Sequence, residues 1–219
     1  VQCAPRPRTC FEDVSALRQG HCMRVSAEGE IVEDWSFWDL PVPAPVSGQS
    51  DDAWIEEGEE ILKRSIRRRL VADVPVGTFM SGGIDSTTIS ALAAQEHSGI
   101  KAFNLDFKGD DHPHSEFSQA RETAEMYGME LQVKRTDPAE SLQHVADMVR
   151  CYEEPTPSLS PTYLLSQFVK ECGVKVVFSG LGPDELFCGY GRDRNLGKWR
   201  WLRRFATLPG GPALLRKLF

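Results

Sequence analysis

VGTFMSGGIDSTTISALAAQ, the stretch from Val76 to Gln95, decides the fold of this chain. Its first five residues are typical of a buried strand, its last nine carry apolar residues at helical spacing, and a serine- and glycine-rich loop separates the two. A helix that begins directly after such a loop binds anions. Its first-turn N–H groups have no partner within the helix, and the helix dipole adds about half a positive charge. The stretch therefore predicts an anion site.

The residues of this loop suit phosphates together with a metal ion. Gly82 and Gly83 let the backbone approach a ligand closely. Asp85 would repel bare phosphates, but the conflict disappears if Asp85 holds a Mg²⁺ ion that bridges to them. Hydroxyl donors are supplied by Ser81, Ser86 and Thr87. The loop is not a Walker A loop, because no lysine follows the glycines. The alternative interpretation is an ordinary tight turn that caps a helix.

Length and composition limit what the rest of the chain can be. Its 219 residues suffice for one α/β domain with a sizeable core and a small additional piece. The net charge of −7 gives no general attraction to nucleic acid, although residues 192–219 carry eight basic residues and one acid. That basic stretch is typical of a solvated helix face or of a surface that packs on another part of the protein.

Six scattered cysteines without C-x-x-C or metal-ligand spacing indicate a reduced, cytoplasmic protein. No apolar run is long enough for a membrane span, and no signal-peptide pattern is present. We therefore expect no membrane and no nucleic acid among the partners. Because the first residue is Val1, we expect a piece of a longer chain.

Periodicity divides the chain into three parts. Residues 1–40 contain a predicted hairpin around Gly29, and residues 41–50 form a proline-rich linker. Residues 51–219 begin with a helix and continue with alternating elements. Strands are predicted at 76–80, 100–107, 129–134 and 174–179, and helices at 51–70, 87–95, 116–127, 139–150 and 161–172. This pattern predicts an α/β fold, a doubly wound, mostly parallel sheet with helices on both faces.

A second glycine-rich turn, SGLGPDELFCGY from Ser179 to Tyr190, follows the last predicted strand. Doubly wound sheets bind their ligands at the carboxyl ends of the strands. Asp184 would supply a second oxygen ligand there, so that Asp85 and Asp184 predict a clamp for Mg²⁺ and pyrophosphate. The alternative is that Asp184 only caps the following turn.

Together the two loops resemble those of the glutamine-hydrolysing asparagine synthetases, within the superfamily of ATP pyrophosphatases. The likeness covers about residues 50–195 and includes smaller matches at 73–77, 153–155 and 161–166. Residues 1–40 resemble the end of that family's glutaminase domain. The glutaminase's catalytic cysteine would lie at the start of the full-length protein, so none of the six cysteines takes that role. Residues 51–219 resemble the synthetase domain, C-terminally incomplete and adenine nucleotide alpha hydrolase-like in fold.

The resemblance implies ATP and Mg²⁺ as ligands and an asparagine-forming ligase. In that family the aspartate β-carboxylate attacks the α-phosphate of ATP, and ammonia from glutamine then displaces AMP from the aspartyl adenylate. Pyrophosphate and Mg²⁺ would be held by Ser81, Gly82, Gly83, Asp85 and Ser86, with Asp184 as the second metal ligand. Adenosine would contact Phe79 and Leu105, and the nucleotide would be lined by Ser179 and Gly180. The resemblance thus implies small-molecule partners and leaves undecided whether the protein forms a homodimer.

One residue departs from the family pattern. The family carries a glutamate, a candidate base for the incoming amine, where this chain has Leu181. Loss of a general base typically costs about 10²–10⁴-fold in rate. Either another group, such as Glu185, takes the catalytic role beside Asp85 and Asp184, or the ligase acts on a different carboxylate, such as a peptide- or polysaccharide-linked acid. A catalytically degenerate nucleotide-binding module is the third interpretation. The chain also ends before a lysine that related ligases use, so we expect the fragment alone to bind ATP poorly.

Overall fold

The computed structural model describes residues 4–41, 48–107, 116–152 and 159–191. Several features discussed from the sequence lie outside these ranges: Val1, one of the six cysteines (Cys3), most of the linker, the small family match at 153–155 and the basic stretch at 192–219. The described residues form a two-stranded sheet and a four-stranded sheet. None of the helices within them is both long and apolar enough to cross a bilayer.

The two-stranded sheet is the hairpin predicted from the sequence. Strands β1 (His21–Val25) and β2 (Ile31–Ser36) pair antiparallel around a turn that contains Gly29 at a φ of +90°. Ser26 closes this turn, since its hydroxyl accepts hydrogen bonds from the N–H groups of Glu28 and Glu30, both at 3.2 Å. The local turn chemistry thus sets the register of the hairpin.

Helix α1 (Asp51–Leu70) has the bounds that the sequence predicts. The Ser50 hydroxyl caps its N-terminus by accepting from the Ala53 N–H at 3.3 Å. Ile66 is buried on its inner face, while Arg67 in the last turn donates to the Glu96 carboxylate at 2.7 Å. The capped helix is therefore tied to the helix that follows it.

The four-stranded sheet is parallel throughout, in the order β5-β4-β3-β6. Its strands are β3 (Val76–Phe79), β4 (Lys101–Phe107), β5 (Glu130–Thr136) and β6 (Val176–Phe178). The remaining helices are α2 (Ile84–Glu96), α3 (Phe117–Met126), α4 (Pro138–Gln143), α5 (Val145–Tyr152), α6 (Leu159–Glu171) and α7 (Pro183–Phe187). The predicted α/β fold with a parallel sheet flanked by helices is confirmed.

Successive residues of β4 face opposite sides of the sheet, as strand geometry requires. Ala102 is buried in a core cluster to which α1, α2 and α3 contribute. Phe103 belongs to a second cluster with α6, where its ring meets that of Phe168 edge-on at 6.0 Å and 84°. Helices therefore cover both faces of the sheet.

The helices depart most from the prediction at two places, the start of α2 and the segment 139–150. Helix α2 begins at Ile84 rather than at Thr87, because Gly83 already serves as its N-cap. The single helix predicted at 139–150 is two helices, α4 and α5. At His144 between them the N–H donates to the Ser141 carbonyl at 3.2 Å, a tighter turn than the α-helical bond.

The order of the strands reverses beside β3. Strands β4 and β5 follow on one side of β3, whereas β6, the last strand along the chain, pairs with its other side. In open α/β sheets the crevice at such a reversal, outside the carboxyl ends of the strands, receives the ligand. The fold therefore places the loops after β3 and β6 side by side at that point.

Candidate functional site

The two glycine-rich loops leave neighbouring strand ends and touch each other. Thr78 of β3 lies in register with Phe178 of β6, so both loops emerge at the same edge of the sheet. A β-carbon added at Gly180 would lie 2.6 Å from the backbone nitrogen of Ser86. Only glycine permits this approach, and the contact makes the two loops one wall of a common site.

Ser86 organises the first loop. Its hydroxyl lies 3.0 Å from the Ser81 hydroxyl, accepts from the Ser81 N–H at 3.1 Å and donates to the Gly83 carbonyl at 3.2 Å. The Gly83 N–H in turn donates to the Ser81 hydroxyl at 3.3 Å. Two serines thus hold the loop in one shape before any ligand arrives, a condition for electrostatic stabilisation without reorganisation.

Gly82 is required for the same loop shape. Its φ of +95° lies in the left-handed region that favours glycine, and a β-carbon there would stand 2.5 Å from the carbonyl oxygen of Glu116. Glu116 is the N-cap residue of α3, so this close approach packs the first loop against a third element.

The N-terminus of α2 faces this loop without a side-chain cap. Gly83 is the N-cap residue and makes no capping hydrogen bond through a side chain. First-turn N–H groups that the helix leaves unpaired can therefore bind an anion. Asp85 lies in the same turn, half-buried. The arrangement suits a phosphate whose charge is shared with a cation held at Asp85.

A cleft of about 440 Å³ opens in front of the two loops. Phe79, Met80 and Leu105 give it an apolar wall at the ends of β3 and β4. Eight predicted site residues line it, namely Phe79, Ser81, Gly83, Asp85, Ser86, Leu105, Ser179 and Gly180. Gly82 is the ninth residue predicted to bind the nucleotide and its phosphates. It is not part of the described lining, because it packs within the first loop against the backbone of Glu116.

Asp184 and Glu185, the other two predicted residues, lie on the short helix α7. The described lining of the cleft includes neither of them. A β-carbon at Gly189 would collide with the Asp184 carboxylate, so that side chain lies against the Gly189 backbone. Glu185 accepts a hydrogen bond from the Tyr190 hydroxyl. Within the described ranges no three His, Cys, Asp or Glu side chains form a cluster fit for a metal ion.

Three polar residues at the cleft or directly behind it were not predicted from the sequence. Asn104, buried in β4, donates from Nδ2 to the Met80 carbonyl at 2.8 Å and thereby fixes the end of β3. Asp106 and Glu116 both line the cleft, and the Asp106 carboxylate lies 3.6 Å from Nε of Arg135. Asn104 and Asp106 stand two residues apart within β4, but that spacing indicates only a shared face of the strand and not these contacts, and Glu116 carried no signal.

Two large apolar side chains stand exposed at the mouth of the cleft. Leu181 is 86% exposed and Ile84 is 85% exposed, and both contribute to its lining. Leu181, the residue that departs from the expected pattern, therefore lines the cleft.

Comparison with known proteins agrees with the geometry. The family model for asparagine synthase matches residues 57–218. Asparagine synthetase [glutamine-hydrolyzing] 1 of Bacillus subtilis is 30% identical over 212 residues, 96% of this chain and 32% of that protein. A putative asparagine synthetase [glutamine-hydrolyzing] of Mycobacterium tuberculosis is 32% identical over 194 residues, 87% of this chain and 29% of that protein.

A fungal protein with a different name is similar to a comparable extent. Amidase chyE of Penicillium rubens is 30% identical over 201 residues, which cover 84% of this chain and 30% of that protein. The chain thus spans about a third of the length of these curated relatives. Since the family model matches well over half of its residues, the chain belongs to the asparagine synthase family.

Proposed function

We propose that the protein containing this chain is an ATP-dependent, amide-forming ligase that converts aspartate to asparagine. In the first step a carboxylate oxygen bonds to the α-phosphorus of ATP, the bond to the bridging oxygen breaks, and pyrophosphate leaves. Ammonia derived from glutamine then bonds to the acyl carbon, AMP leaves, and the nitrogen gives up a proton. The observation that carries the proposal is the contact of two glycine-rich loops at the strand reversal beside β3.

The phosphates are assigned to the first loop. The uncapped N-terminus of α2 and the hydroxyl of Ser81 supply donors in a fixed arrangement, which lowers the cost of bringing two anions together. Because Mg²⁺ is usually held by one or two carboxylates plus phosphate oxygens, the residues present fit that ion without a protein cage. Asp85 is the proposed first ligand. Asp184 is the proposed second, and its carboxylate would have to turn away from Gly189 to reach the cleft.

The adenosine is assigned to the apolar wall. Phe79 and Leu105 lie half-buried at adjacent strand ends and offer apolar surface beside backbone groups. Small-molecule sites generally combine such surface with a few placed polar groups. When bound, Mg²⁺ neutralises the phosphate charge; the described residues position the nucleotide and exclude water from one side.

The test has two parts: ATP–pyrophosphate exchange by the full-length protein with aspartate and Mg²⁺, and analysis of the products that form from ATP once glutamine is added. We expect AMP and pyrophosphate as products. Asp85→Asn should reduce exchange by about 10²-fold or more, since it removes a charge at the reacting phosphates. Asp73→Asn, at an exposed aspartate before β3, is the matched control. Formation of ADP would refute the proposal. No exchange in the parent protein, together with an unchanged host-cell phenotype in Asp85→Asn, would favour the catalytically degenerate nucleotide-binding module.

A second candidate keeps the adenylation but changes the acid. Leu181 is exposed at the cleft and cannot accept a proton, which favours a related ligase acting on a different carboxylate. Exchange measured with a panel of peptide-linked, polysaccharide-linked and free carboxylic acids separates the two. Strong exchange with aspartate alone would remove this candidate.

The source of ammonia is a separate part of the proposal. We assign residues 1–40, which contain the hairpin, to the end of a glutaminase-type amidotransferase domain, residues 41–50 to a linker and residues 51–219 to the synthetase domain. Glutamine hydrolysis by the full-length protein, and a Cys-Gly start after the initiator methionine, would support this assignment. A cytoplasmic location and a homodimer remain predictions, to be checked by fractionation and by sedimentation.

A further inference from the structure

An apolar groove of about 800 Å³ runs between α1, α2 and α3, and among the residues that the structure describes none lines both this groove and the nucleotide cleft. Large apolar side chains stand in it: Ile55 is 67% exposed, Met126 70% and Phe187 73%. Trp54 and Leu62 of α1 complete this surface, which we term the helical groove. Contiguous exposed apolar surface of this kind marks a docking site.

The first half of α1, which forms one side of the helical groove, is acidic. Six of the first ten residues of α1 are acids, namely Asp51, Asp52, Glu56, Glu57, Glu59 and Glu60. Glu59 lines the groove itself. Lys63 lies 2.7 Å from Glu59 and 3.6 Å from Glu60. Because this one lysine offsets only one of the six negative charges, the first half of the helix keeps a large negative excess. The occupant should therefore be apolar on one side and basic on the other.

Residues 192–219 of this chain have that composition. They carry eight basic residues and one acid, so that residues 1–191 hold seventeen basic residues against thirty-one acids. Their apolar residues include Trp201, Phe205 and Leu208, a spacing that favours one face of a helix. The family match runs from residue 57 to residue 218, so it includes nearly all of this segment together with most of the residues that line the groove.

The described chain ends close to the helical groove. Phe187 of α7 lines the groove, and the described chain ends only four residues later, at Gly191. No long connection is needed between the groove and the segment. We propose that residues 192–219 dock in the helical groove, with their apolar side chains against Trp54, Ile55 and Phe187 and their basic side chains against the acids of α1.

The first test is carbodiimide cross-linking of the intact protein, mapped by mass spectrometry. Lys198 and Lys217 are the amines of the segment. We expect them to link to carboxylates of residues 51–60. A mixture of ¹⁴N- and ¹⁵N-labelled protein separates the possible occupants: links within one copy support the proposal. Links between light and heavy copies would overturn it in favour of a second copy.

The second test is hydrogen exchange of residues 54–62 in the intact protein. The double variant Arg203→Gln/Arg204→Gln should speed this exchange by about tenfold, since it weakens the contact that protects the groove. The matched control is Arg64→Gln/Arg68→Gln, which removes two exposed arginines of α1 itself. Equal exchange in all three proteins, together with no cross-link, would overturn the proposal.

A third comparison keeps the test independent of the segment's arginines. Ile55→Asn in the groove should weaken the cross-links severalfold, whereas Leu142→Asn, at an equally exposed leucine of α4, should leave them unchanged. Both side chains are exposed in the described fold, so neither change disturbs its core. Equal cross-linking in the two variants would contradict docking at this groove.

Discussion

Gly180 packs against the backbone nitrogen of Ser86 so closely that no side chain fits between them. A β-carbon added at Gly180 would lie 2.6 Å from that nitrogen. Gly180 follows β6, and Ser86 belongs to the first turn of α2 after β3. Two segments nearly a hundred residues apart thus pack closely against each other at this point. The shape of the cleft therefore depends on both loops at once.

Gly180→Ala should separate the two loops. Because backbone rather than a flexible side chain blocks the added methyl group, we expect a loss of stability of about 1–3 kcal/mol and a fall in ATP–pyrophosphate exchange of tenfold or more. The control is Gly191→Ala, whose added β-carbon meets nothing within 4 Å. Thermal unfolding and exchange assays measure both effects, and similar behaviour of the two variants would contradict the proposed packing.

Ser86→Ala should loosen the first loop while leaving its backbone course possible. The change removes the acceptor of the Ser81 N–H and the donor to the Gly83 carbonyl. We expect a cost of about 1–3 kcal/mol, since Ser86 is buried and its partners lose their hydrogen bonds. Nucleotide affinity should fall with it. Ser98→Ala, at an exposed serine after α2, should change neither unfolding nor affinity.

The parts of the site that could be predicted from the sequence are those written locally. The strand, loop and helix around Gly82 and Asp85 follow from periodicity and from glycine and serine chemistry over consecutive residues. The second loop at Gly180 follows in the same way, and the parallel order of elements predicts that both loops share one edge of the sheet. Their mutual adjacency is confirmed by the pairing of β3 with β6.

The contributions of Asn104, Asp106 and Glu116 could not be predicted, because they arise from tertiary packing. Asn104 supports the loop through a bond to Met80, twenty-four residues earlier. Glu116 meets Gly82 only because α3 packs beside α2. Likewise, the break at His144 depends on one backbone turn that periodicity does not specify. Spacing along the chain carries no information on such contacts.

The Arg67–Glu96 pair should give the fold a measurable acid sensitivity. The hydrogen bond from Arg67 lowers the pKa of the Glu96 carboxyl below its ordinary value of 4.5. A carboxyl whose folded pKa is depressed stabilises the fold above its unfolded pKa, and this contribution is lost as the pH falls through the folded pKa.

Arg67→Gln should therefore lower the melting temperature at pH 7 and converge with the parent protein well below pH 4.5. Arg68→Gln, at an exposed arginine of the same turn, is the matched control and should follow the parent throughout. Thermal melts across this pH range provide the measurement. A constant offset between Arg67→Gln and the parent at every pH would contradict the linkage.

Leu181→Glu tests which acid and which amine the site serves. Leu181 is 86% exposed at the cleft, so a glutamate there should leave the melting temperature nearly unchanged. If the ligase makes asparagine but lacks a base at this position, the new carboxylate should speed the amide-forming step by about 10²–10⁴-fold while leaving ATP–pyrophosphate exchange unaffected. Ile84→Glu, equally exposed at the same cleft, controls for added charge and should not accelerate amide formation. Single-turnover measurement of asparagine from aspartate, ATP and ammonia separates the two steps.

No gain in Leu181→Glu would mean that a group already present, such as Glu185, removes the proton, or that aspartate is not the acid. Exchange measured with other carboxylates then distinguishes these two outcomes.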